Sequence, residues 1–94
     1  MFLNDLTELL KNKGFKNTIQ VLGKFKNYRA ERRKFYEELM KFSYYNSFYR
    51  IKGKLLEYDL INIKSFRGKK YISLTKKGKK ICEKLNEIYS ILSE

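Results

Sequence analysis

Between Tyr44 and Thr75 the spacing of apolar residues changes once, and the rest of the chain is arranged around that change. Phe48, Ile51 and Leu55 recur at helical spacing, which buries one face and leaves Ser47, Tyr49, Arg50 and Lys54 on the other. After Leu60 the period falls from about 3.6 to 2, the mark of a helix giving way to strand. Arg67-Gly68 fits a two-residue hairpin turn, because Gly accepts the positive φ required at its second position. That turn pairs Phe66 with Lys69 and sets Ile61 opposite Leu74 and Ile63 opposite Ile72 on one face. Asn62 opposite Ser73 and Lys64 opposite Tyr71 fall on the other. A slip of one residue would scatter the apolar set, so the pattern itself supports the register.

The flanking segments read as helices. Leu3, Leu6, Leu9 and Leu10 make a short amphipathic pattern with Asn4 or Asp5 as N-cap. Gly14 fits the stop of this helix, or else an interruption within one longer helix. Phe15, Ile19, Leu22 and Phe25 predict a helix over about residues 16–25, followed by an aperiodic connection at 26–29 with a brief extended segment. From Glu31, the residues Phe35, Tyr36, Leu39, Met40 and Phe42 predict another amphipathic helix, with Arg32, Arg33, Lys34 and Lys41 on its exposed side. A short turn at 43–46 leads into the central helix, capped by Asn46 or Ser47, and two helices so joined match a helix-turn-helix. Thr75 caps a last helix from Lys76 to about Leu92, whose stripe is Ile81, Leu85, Ile88 and Leu92, flanked by Cys82 and Tyr89.

Composition narrows the class. With 94 residues the chain forms one modest core, and 43% hydrophobic and 16% aromatic residues exceed what a disordered chain carries. The expected organisation is a single domain over 1–94: an N-terminal helix at 1–13, a helix-turn-helix and hairpin at 16–74, and a C-terminal helix at 76–93. The fold class is mainly α with a small β-hairpin, an α+β domain. The formal net charge is +12, and it is concentrated: residues 11–80 hold 21 Lys and Arg against 5 Asp and Glu, whereas both ends are acidic. A basic middle between acidic ends points to a polyanion, with nucleic acid ahead of an anionic membrane surface. One Cys and no His remove disulfides, thiolate metal clusters and most acid–base chemistry, so no catalytic residue, metal or cofactor is expected. No apolar run approaches a membrane span and MFLNDLTELL lacks the positive flank of a signal peptide, so a cytoplasmic location without membrane attachment is expected. Cys82 fits either a packed residue or a redox sensor.

Two motifs carry a resemblance. LLEYDLI at the end of the central helix is similar to the L-E-x-x-G-L-I pattern, and YISLTKKGKKI to the strand-then-L-T-x-K-G pattern, of winged helix-turn-helix regulators. Over about residues 18–85 the chain resembles the MarR-like and related winged-helix families of archaea and bacteria. It departs from them at Asp59, which stands where the family has Gly, in the bulky turn Ser43-Tyr44-Tyr45, and in a wing without the acidic residue that often positions its tip Arg. The resemblance implies a winged helix-turn-helix with extra terminal helices. It places Asn46, Ser47, Tyr49 and Arg50 at major-groove positions and Arg67 at the wing tip.

Arg50 suits base readout, because a guanidinium donates two hydrogen bonds to one guanine edge, or else a phosphate contact or a solvated surface position. Asn46 and Ser47 suit base contact or capping, and Tyr49 suits a thymine methyl, a sugar or core cover. Lys52, Lys54, Lys64, Lys69 and Lys70 suit phosphate, and for Arg32, Arg33 and Lys34 the resemblance implies contact with the DNA backbone. The aromatic residues fit core packing or an effector pocket. Double-stranded DNA is the expected partner and transcriptional regulation the expected role. Leu3, Leu6, Leu10, Ile81, Leu85, Ile88 and Leu92 are expected to form a homodimer interface, the alternative being that the two terminal helices pack on each other within one chain. The alternative is a winged-helix module for RNA binding or protein interaction in a larger assembly.

Overall fold

The computed structural model describes residues 3–42 and 45–94, with side chains throughout except at 3–6 and 45. Its centre is α2 (Lys13–Lys24), which buries Phe15, Thr18, Ile19, Val21 and Leu22 along one side. The Asn12 side chain caps it, accepting a hydrogen bond from Gly14 N at 2.8 Å. Gly14 is therefore the second residue of α2 and not the stop of α1 (Leu3–Lys11), and α2 begins three residues before the expected start. Asn4 and Asp5 lie inside α1, one and two residues after its first, and so do not cap it. The side chains of Leu3 and Leu6 lie outside the described residues; Leu9 is buried and Leu10 exposed.

Beyond α2 the chain makes a 3-10 turn (Lys26–Tyr28), with Asn27 and Tyr28 both at positive φ, and enters a short strand β1 (Arg29–Glu31). The sheet thus has three strands where the sequence pattern predicted a hairpin. Three residues with one apolar side chain are too few to show a period of 2. The helix α3 (Arg32–Leu39) follows, burying Phe35 and Leu39. Met40 and Phe42, expected on its stripe, are exposed because the helix has already ended, with Met40 as its C-cap.

The helix α4 runs Tyr45–Glu57, and Phe48, Ile51 and Leu55 are buried as the periodicity requires. Asn46 and Ser47 sit inside its first turn and do not precede it as caps. The expected turn residues Ser43 and Tyr44, and the side chain of Tyr45, lie outside the described residues. Phe48 packs edge-on against Phe35, ring centroids 5.0 Å apart, which locks α4 to α3.

The end of α4 shows why Asp59 is tolerated. Its φ is 59°, the left-handed region that favours Gly. Asp59 N donates to Leu56 O at 3.0 Å and Leu60 N to Leu55 O at 2.9 Å, so the backbone closes as a Schellman cap. Leu55 and Leu60 are both buried across it.

The strands β2 (Ile61–Phe66) and β3 (Lys69–Leu74) pair in the register expected from the sequence, from Ile61↔Leu74 to Phe66↔Lys69. Arg67 and Gly68 have φ of 51° and 77°, both positive as a type I′ turn demands. The strand β1 adds to the other edge of β3, giving the antiparallel order β1-β3-β2 with Arg29↔Ser73, Ala30↔Ile72 and Glu31↔Tyr71. One face, with Ala30, Ile61, Ile72 and Leu74, closes the core.

Thr75 then caps α5 (Lys76–Leu92) by accepting from Gly78 N at 3.0 Å. The same hydroxyl donates to Asp59 O, and Thr75 N donates to Leu60 O at 3.0 Å. A β-carbon on Gly78 would collide with the Leu60 carbonyl. The threonine and glycine of LTKKG therefore tie the start of α5 to the turn that ends α4. The molecule is mostly helical with a small antiparallel sheet, an α+β architecture. No described helix is long and apolar enough to cross a membrane.

Candidate functional site

With Phe48, Ile51 and Leu55 turned inward, α4 presents Asn46, Tyr49, Arg50, Gly53 and Lys54 to solvent. The face has no acidic residue before Glu57. Nothing in the chain lies within 4 Å of where a β-carbon at Gly53 would stand. A glycine inside a helix costs roughly 0.5–1 kcal/mol relative to alanine, and no internal packing here offsets that cost. Ser47 is half-buried at the inner margin of the face.

Tyr49 is exposed but held in place. Tyr36 Oη on α3 donates to Tyr49 Oη at 3.3 Å, and Lys52 Nζ lies 5.7 Å from the Tyr49 ring centroid. This link brings α3 alongside the open face of α4. Arg32 and Arg33 stand one turn before Tyr36, hence on the same side of α3. Both are exposed, as is Lys34, and Arg33 makes a solvent-exposed pair with Glu37 at 3.8 Å. Such an exposed pair holds Arg33 weakly.

Glu31, the residue before α3, connects this region to the hairpin: Lys69 Nζ lies 3.9 Å from Glu31 Oε2. Lys64 and Lys70 are exposed on opposite faces of the hairpin. At the tip, the Arg67 guanidinium lies over the Phe66 ring, 5.1 Å from its centroid. An aromatic ring thus supports the arginine at the tip. The structure links α3 to α4 through Tyr36 and to β3 through Glu31, while Arg67 stands in the distal turn and Lys70 two residues past it.

The residues proposed from α5 divide. Ile81 and Leu85 are half-buried against the body, whereas Ile88 and Leu92 are 51% and 74% exposed. Ile91, which the heptad spacing does not select, is 64% exposed beside them. Cys82 is buried; a β-carbon on Gly23 of α2 would approach its Sγ to 2.6 Å. Burial raises the thiol above its ordinary value of 9.0, with the charge of Glu83 adding to the rise and the Asn86 amide, which donates to Sγ, opposing it. A thiol kept protonated in a packed position is a poor sensor. It borders a small hollow between α2 and α5, about 200 Å3, lined also by Gln20, Phe42 and Asn86.

Gly53, Phe66, Tyr71 and Arg29 are additions to the residues read from the sequence. Gly53 lies at the centre of the spacing that selected Tyr49, Arg50 and Lys54, and its position was the available signal. Among the described residues no group of three His, Cys, Asp or Glu is placed to hold a metal. No protein-family model matches the chain, and no curated protein sequence matches it.

Proposed function

We propose that this chain is a winged helix-turn-helix protein that binds double-stranded DNA sequence-specifically and regulates transcription. The observation that carries this is the open face of α4: five consecutive outward positions that combine polar readers, two cations and a side-chain-free Gly53. A major groove about 12 Å wide admits such a helix. Gly53 lets the helix backbone approach the groove wall without a side chain between them. Arg50 reads a guanine edge, Asn46 and Tyr49 contact neighbouring bases, and Lys54 with Arg32 and Arg33 holds phosphates.

The hairpin serves as the wing, with Lys64, Arg67, Lys69 and Lys70 along the DNA backbone and Arg67 reaching the minor groove. The exposed apolar end of α5, with Leu10 of α1, joins two copies, keeping the basic middle of each chain for DNA. A twofold dimer binds half-sites about one helical turn apart.

The test is binding to a selected duplex with the salt concentration varied. Each phosphate neutralised contributes about −0.9 to the slope of log K against log salt. Arg50→Ala weakens the selected site by about 1–3 kcal/mol and flattens discrimination at one base pair. Equal loss on every sequence would make Arg50 a phosphate contact, and salt-independent binding would remove the electrostatic basis of the proposal.

A further inference from the structure

The sheet has a second face. Opposite the core it presents Arg29 and Glu31 from β1, Lys69, Tyr71 and Ser73 from β3, and Asn62, Lys64 and Phe66 from β2. Every one of these residues is exposed or half-buried, so no described element covers this side. A bare face of a small antiparallel sheet ordinarily carries polar residues. Here it carries two aromatic rings, with Phe66 61% exposed. Phe66 pairs with Lys69 and Tyr71 with Lys64, which makes the rings diagonal neighbours on adjacent strands.

Cations frame the rings. The Arg29 guanidinium lies over Tyr71, 5.5 Å from its centroid, as Arg67 does over Phe66. A depression of about 410 Å3 opens between Arg29, Lys64, Phe66, Tyr71 and Ser73. A second depression, about 370 Å3, shares Arg29 and Tyr71 with the first and continues past Phe25 to Lys26 and Lys34. Together they form one track from the hairpin to the start of α3, with Glu31 as its single acid.

We propose that this outer sheet face binds single-stranded DNA, stacking unpaired bases on Tyr71 and Phe66 and holding the phosphates with Arg29, Lys64, Lys26 and Lys34. Each part of that ligand has a counterpart on the face. Rings at adjacent strand positions accept successive base faces, and every base has one, so this binding is tolerant of sequence. The cations alternate with the rings, as the phosphates of a strand alternate with its bases. Arg29 stacks beside Tyr71 and is placed to cover a base from its edge or to contact the adjoining phosphate. The stacking argument stands without the duplex proposal; the choice of DNA over RNA rests on that proposal, because the track ends at Lys34 on α3, the helix whose Arg32 and Arg33 that proposal assigns to DNA.

The experiment is fluorescence anisotropy of a short labelled oligo-thymidylate with the full chain at low salt. Phe66 and Tyr71 lie outside the core, so Phe66→Ala and Tyr71→Ala are expected to keep the far-ultraviolet spectrum of the native protein. Each is expected to weaken the oligonucleotide by roughly 5- to 150-fold, the equivalent of about 1–3 kcal/mol per stacked base. Tyr71→Phe, which keeps the ring, is expected to bind as the native chain does. Arg50→Ala, on the other surface, is expected to leave oligo-thymidylate binding unchanged while it weakens the duplex. Native binding by both alanine variants would overturn the proposal. So would equal loss in Arg50→Ala, which would place the strand on α4. Equally tight binding of thymidine monophosphate would make the face a small-molecule site, and tighter binding of oligo-uridylate would make it an RNA site; either result overturns the proposal.

Discussion

A β-carbon on Gly14 would collide with the main-chain carbonyl of Ser47. The start of α2 and the start of α4 therefore meet at backbone distance, and the proposed DNA-reading helix takes its position from a glycine more than thirty residues away.

Gly14→Ala and Gly53→Ala are both glycine-to-alanine changes inside helices, and their effects should differ in sign. Intrinsic propensity favours alanine by about 0.8–1.0 kcal/mol. At Gly14 the new methyl must displace α4, and overpacking of that kind costs about 1–3 kcal/mol. At Gly53 the methyl meets open space, so stability should rise by roughly 0.5–1 kcal/mol. Urea unfolding midpoints check both. If Gly53 admits the DNA closely, Gly53→Ala also weakens duplex binding several-fold while the fold gains stability. Gain in both properties would show that Gly53 faces no ligand.

The proposed dimer depends on the end of α5. Ile88, Ile91 and Leu92 form an exposed apolar patch, and a second copy of the chain is its proposed cover. Sedimentation equilibrium at micromolar concentration should report twice the 11.4 kDa chain mass. Ile88→Glu should return it to the single mass while leaving the far-ultraviolet spectrum unchanged. A native protein that sediments as one chain would remove the twofold part of the proposal.

Cys82 should be slow to alkylate in the folded protein near pH 8 and fast in urea. Desolvation raises the thiol above 9.0, so the folded state holds this proton more tightly than the unfolded chain. The resulting stabilisation is fully present below the unfolded value and is lost as pH rises through the folded one. Iodoacetamide labelling with and without denaturant checks the first statement, and stability measured on either side of pH 9.0 checks the second. Rapid labelling of the native protein would reopen a redox role.

The parts of this fold that were legible in the sequence depend on local periodicity. The β2–β3 register followed from a constant pairing sum around Arg67-Gly68, and the buried face of α4 from the spacing of Phe48, Ile51 and Leu55. The remainder depends on approaches between distant segments. Gly14 resembles a helix stop until α4 is placed against it. Asp59 looks like a misfit until the Leu60 N to Leu55 O bond shows it closing the helix. In β1 the sequence Arg-Ala-Glu shows no strand period, yet it completes the sheet and carries Arg29 onto Tyr71. The candidate DNA surface was legible on α4, where one helix defines it. The outer sheet face was half legible, since the register alone puts Phe66 and Tyr71 on one side, but its cationic frame required β1.

The central claim is that α4 reads double-stranded DNA. Selection of bound sequences from a random duplex pool tests it most directly, because retention, specificity and symmetry are read from one experiment. The expected result is enrichment of a pseudo-palindromic site with half-sites about one turn apart, lost in Arg50→Ala. A pool that returns without enrichment, or is not retained at low salt, would contradict it.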